Sequence, residues 1–115
     1  MATLVEWWLL LATREAEMAQ EKATEYGSTD LREIGRTMAM ASGLGAPEGR
    51  GTDEWYSELG CYFYAVGKMA RWTDAVLSGR QVSNDTIADL KVYMTMVQRI
   101  RECGGWPAAP GGTRG

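Results

Sequence analysis

Ser83–Glu102, SNDTIADLKVYMTMVQRIRE, decides the fold of this 115-residue chain. At ~100° per residue, Ile87, Leu90, Met94 and Val97 fall on one stripe, as an amphipathic helix requires. Tyr93, Met96 and Ile100 widen that apolar arc to roughly half the circumference. Ser83 reads as the N-cap, and Asp85 in the first turn suits the helix dipole. Asp89 lies inside the arc, so its carboxylate needs a partner: an unpaired buried charge costs several kcal/mol. That partner is either a bound cation or an Arg.

Working outward, the same periodicity predicts three more helices. One runs from about Thr3 to Glu25, with Leu4, Trp7, Leu11 and Met18 as its apolar stripe. Tyr26-Gly27-Ser28 ends it, Gly27 serving as the C′ residue. A short helix follows through Leu31, Ile34, Met38 and Ala41. GLGAPEGRG, residues 43–51, is a connector. The longest helix covers Asp53 to Ser78, with a core stripe of Trp55, Leu59, Tyr62, Phe63, Val66, Ala70, Thr73 and Leu77. Gly60 and Gly67 on it allow close helix approach. A turn at Gly79 leads into Ser83–Glu102, which stops at Gly104-Gly105. No stretch alternates with period two for long enough to be a strand. The expected fold is all-α: a four-helix bundle of residues 1–103 with antiparallel neighbours. Residues 104–115 form a Gly/Pro-rich tail from which Trp106 docks back onto the body.

Composition narrows the function classes. Hydrophobic residues make up 45% and charged residues 23%, so the chain folds rather than staying disordered. A net charge of −3 without a basic block gives duplex nucleic acid no footprint. The absence of histidine removes the Ser-His-Asp triad and imidazole metal sites. Cys61 and Cys103 form no CxxC, which fits a reduced, cytoplasmic chain. The apolar start LVEWWLLLA is interrupted by Glu6 and is too short to span a bilayer, so no membrane partner is expected. Five Trp and five Tyr exceed what one small core needs, which points to a homodimer or tetramer.

Several acids sit on or beside the inward faces: Glu21 and Glu25 on the first helix, Glu58 on the third, Asp85 and Asp89 on the last. Glu21 and Glu25, one turn apart, repel each other unless a cation lies between them. Bundles that gather carboxylates from facing helices bind divalent cations, and an all-oxygen set selects Mg²⁺ or Mn²⁺. Glu21, Glu25 and Asp89 are the candidate catalytic acids of such a site, which would act on a phosphoanhydride. Lys22, Lys68 and Arg71 would steady phosphate charge, and Tyr26 or Trp72 would stack on a base.

Three pieces of sequence together resemble the MazG-like all-α nucleoside triphosphate pyrophosphohydrolases. The nearer likeness is to their bacteriophage relatives, the nucleotide-modification-associated domains. The pieces are K-x-x-E-Y-G-S at Lys22–Ser28, GKMARWTDAVLSG at Gly67–Gly79, and S-N-D-T-I-A-D-L at Ser83–Leu90 with Tyr93. The resemblance covers roughly Glu17 to Glu102. It implies a helical, metal-dependent oligomer that binds nucleotides and cleaves NTPs, dNTPs or modified nucleotides to monophosphate and pyrophosphate. By position, Glu25 matches the acid before Tyr-Gly, Asp85 and Asp89 the acids of the last helix, and Lys68 and Arg71 its basic pair. The family's E-x-x-E and E-x-x-D pairs are absent; here the acids are four apart, as in Glu21/Glu25, Glu54/Glu58 and Asp85/Asp89. Asn84 stands where the nearer relatives often carry an acid.

Two other functions fit the same residues. The pocket would hold a nucleotide without turning it over, as a sensor does. Alternatively, the Trp-rich first helix docks on another protein, and the inner acids are salt bridges to Arg14, Arg99 or Arg101.

Overall fold

The computed structural model describes residues 2–43 and 52–107, with 25–30 and 52 described by backbone alone. Among these residues the chain is all-α, with three continuous helices and no strand: α1 Leu4–Ser42, α2 Thr52–Leu77 and α3 Asn84–Cys103. Arg32 pairs with Asp53, and Lys68 with Asp89, so α2 runs antiparallel to both neighbours. The expected helical bundle is therefore present, with the chain passing up, down and up.

The helix ends follow local chemistry. At the start of α1, Thr3 Oγ1 accepts from Glu6 N–H at 3.2 Å. Thr3 N–H donates back to Glu6 Oε1 at 2.9 Å, which closes a capping box. Ser83 Oγ accepts from Thr86 N–H, as the α3 reading requires. Gly104, at φ 89°, takes the left-handed C-cap that few other residues tolerate.

One expected boundary is absent. α1 passes through Tyr26-Gly27-Ser28 and joins the two helices read there as separate. A helical glycine costs only ~1 kcal/mol relative to Ala. Packing outweighs that, because the inward positions Ala19, Ala23, Leu31, Gly35 and Ala39 stay on one i, i+4 ridge. The connector ends α1 at Gly43, and residues 44–51 lie outside the described set.

α1 and α2 cross with backbone against backbone. A Cβ on Gly35 would lie 1.8 Å from Tyr56 O, and one on Gly60 would lie 2.1 Å from Leu31 O. Gly67, read as a second close-approach position, faces open space. The core gathers Leu31, Cys61, Val92, Tyr93, Met96, Ile100 and Trp106, with Met18, Ala19, Ala23 and Tyr64 against it. Trp106 is thus docked as expected, and Arg99 Nε holds the adjoining Pro107 carbonyl at 3.0 Å. Residues 108–115 of the tail lie outside the described set.

The α2 stripe needs correction. Ser57, Gly60, Cys61 and Ala75 are the α2 residues buried in the body. Tyr62, Val66, Ala70, Thr73 and Leu77, read as core, are exposed on the far side. Apolar residues line both sides of this helix, so periodicity alone cannot say which face the bundle takes.

Candidate functional site

The three helices bring one charged residue each to a common point. Lys22 of α1 lies 3.6 Å from Asp89 Oδ1, and Lys68 of α2 lies 2.9 Å from Asp89 Oδ2 on α3. The side chains are only 12%, 22% and 20% exposed, respectively, so water screens them weakly. The Lys22 ammonium also sits 4.8 Å above the Tyr93 ring, within cation–π range. Tyr93 stacks on Tyr64 with ring centres 5.7 Å apart. Burial pushes the Asp89 carboxyl upward, but the Lys68 hydrogen bond and both lysine charges outweigh it, leaving the group below its ordinary value.

Each residue marked in the sequence has a definite place. Lys22, Lys68 and Asp89 meet at this junction. Glu58 is held instead by Arg101, Nε to Oε1 and Nη2 to Oε2, both at 2.8 Å. Arg101 was one of the arginines named for that structural role. Glu21 is exposed on α1. Asp85 is exposed in the first turn of α3, on a groove shared with Trp7, Leu11 and Arg14. Arg71 and Trp72 face outward on α2. The side chains of Glu25 and Tyr26 lie outside the described residues.

Among the described residues no three of Asp, Glu and Cys gather as a metal requires. The Asp89 carboxylate already holds two ammonium groups. Sequence reasoning demanded a partner for Asp89 and looked to Mg²⁺ or an Arg; lysines from two other helices supply it. The Glu15–Lys91 pair, which ties α1 to α3, was also missed. Its only sequence signal is that both residues edge the apolar faces.

Cys61 lies beside the junction, fully buried, with its Sγ donating to the Tyr93 carbonyl at 3.2 Å. Burial, reinforced by the Glu58 charge and opposed by Lys22, pushes its thiol up to about 12. A thiol in that state is not a nucleophile. With iodoacetamide at pH 8, Cys103 should react in the folded protein while Cys61 reacts only on unfolding; peptide mass analysis of each site measures this. Equal rates at both positions would contradict the packing around Cys61.

The fold and its centre define a class: an all-α bundle whose helices are pinned by a lysine–carboxylate–lysine cluster. Searches against family models, curated proteins and solved structures find no match to the chain. Among the described residues, no helix is long and apolar enough to cross a membrane.

Proposed function

We propose that the chain binds the phosphates of a nucleotide at the Lys22–Asp89–Lys68 junction, as a MazG-like protein acting on NTPs, dNTPs or modified nucleotides. One observation carries the reading. The three stretches that resemble that family each contribute one residue to the junction, although they lie far apart in sequence. Phosphate oxygens add charge-assisted hydrogen bonds to the two ammonium groups that Asp89 holds in place. Arg71, exposed one turn after Lys68, meets the outer phosphate, and exposed Trp72 beside it is an aromatic face for the base.

Hydrolysis to monophosphate and pyrophosphate is the activity the resemblance adds. Magnesium is assigned no residue here, since the described acids do not gather around one. Calorimetric titration with dATP, with and without Mg²⁺, tests the binding. Lys68→Gln is expected to weaken it at least tenfold, worth about 1.4 kcal/mol. Equal affinity in parent and variant would remove the junction from the reading. Pyrophosphate accumulation separates turnover from binding alone.

The second reading, docking of the first helix on another protein, has its own support. Leu4, Val5, Trp7, Trp8, Leu9 and Leu10 are each 55–69% exposed at the start of α1. If that contact is the whole function, neither dATP nor Mg²⁺ shifts the melting temperature.

A further inference from the structure

Between α1 and α3 lies an open cleft of about 510 Å³ whose walls include none of Lys22, Lys68 and Asp89. Ala12, Ala16, Ala19 and Ala23 of α1 line one side; Val92 and Met96 of α3 line the other. Steps of four, three and four keep the four methyl groups on one face of α1. A methyl projects too little to close the gap to α3, so the space stays open. From Ala12 to Ala23 the row is roughly 16 Å long at ~1.5 Å per residue, which makes the cleft elongated. Its volume lies within the range of small-molecule sites.

Two polar groups on the wall say what the cleft takes. Trp106 is 6% exposed, and its Nε1–H is closed to water and has no acceptor among the described residues. A buried donor in that state bears its desolvation penalty with no hydrogen bond in return. Arg99 donates its Nε–H to the Pro107 carbonyl at 3.0 Å, which sets the guanidinium beside Trp106. Both Arg99 Nη groups are left without a protein acceptor among the described residues. Glu15, also on the wall, is paired with Lys91, so an entering anion does not meet it as a bare charge. An indole N–H and a guanidinium fork are donors only, and the fork matches a carboxylate. We propose that the cleft binds a medium-chain fatty carboxylate. Its hydrocarbon lies along the alanine row, and its carboxylate is held by the Arg99 Nη groups and the Trp106 N–H. Gly104 and Gly105 precede Trp106, so the ring swings the short distance that presents its N–H to the ligand. The proposal is independent of the nucleotide reading.

Nitrogen-15 NMR with decanoate as the probe, at up to about 1 mM, reads the site through the Trp106 indole N–H signal. Trp106→Phe identifies that signal by its loss. The signal should shift and saturate with decanoate. Decanol, which lacks the charge, should bind at least tenfold more weakly. Arg99→Gln should weaken decanoate by at least the same factor. Because Arg99 also holds Pro107, a second variant fills the space instead. Ala16 is exposed, so Ala16→Phe should keep the helical circular-dichroism spectrum and abolish the Trp106 shift. An unmoved Trp106 signal, or shifts confined to the exposed Trp7 and Trp8, would overturn the proposal. Equal affinity for decanol would do so too, since the cleft would then accept any apolar surface, another protein's helix included. So would an undiminished response in Arg99→Gln or Ala16→Phe.

Discussion

Gly35→Ala should lower the melting temperature by at least ~10 °C. The added methyl would sit 1.8 Å from the Tyr56 carbonyl oxygen and so close to Gly60 N that α1 must lift away from α2. The obstacle is backbone on both sides, and no side chain can rotate clear. Overpacking a core typically costs 1–3 kcal/mol, and this contact belongs at or above the upper end, about 3 kcal/mol. For a domain near 100 residues each kcal/mol shifts the midpoint by roughly 4 °C or more. Gly60→Ala meets Leu31 O at 2.1 Å and should be nearly as damaging. Both substitutions widen the same gap, so the double variant should fall well short of the sum. Thermal circular dichroism on the three variants measures this; a Gly35→Ala midpoint within ~2 °C of the parent would mean that the helices do not cross as described.

Asp89→Asn should cost about 1–3 kcal/mol at pH 7, because it leaves two poorly hydrated ammonium groups facing an amide. Lys22 and Lys68 are 12% and 22% exposed, so solvent absorbs little of the loss. The pH dependence has a definite sign. The Asp89 carboxyl is lowered in the fold, against ~3.9 in an unfolded chain. Its contribution is therefore present above about pH 4 and is lost as pH falls through the folded value. Urea unfolding from pH 7 to pH 3 should show the parent losing stability faster than the Asn variant at the acid end. Parallel curves would mean that the carboxylate is not what the lysines hold.

How far the sequence revealed this arrangement varies by segment. Ser83–Glu102 was legible because its signals agree, a Ser cap, a wide apolar arc and a glycine stop, although Met94, read into that arc, is 60% exposed. The boundary at Gly27 was misleading, since a local break signal worth about 1 kcal/mol competes with packing along the whole i, i+4 ridge. The face of α2 was illegible for another reason. Both sides of the helix are apolar, and the bundle takes the side with small residues, Ser57, Gly60 and Cys61, where the backbone of α1 fits against α2. At the site, the need for a partner to Asp89 was readable from its place in the arc. The identity of that partner was not, because Lys22 and Lys68 reach it only through the packing of three helices.

The most direct test of the central claim, that three distant segments build one phosphate-receiving site, is a nitrogen-15 NMR titration with inorganic pyrophosphate. The backbone signals around Lys22, Lys68 and Asp89 should move together along one saturation curve, with Lys68→Gln abolishing the response in all three. Shifts confined to a single helix, or three segments saturating at different concentrations, would contradict a shared site.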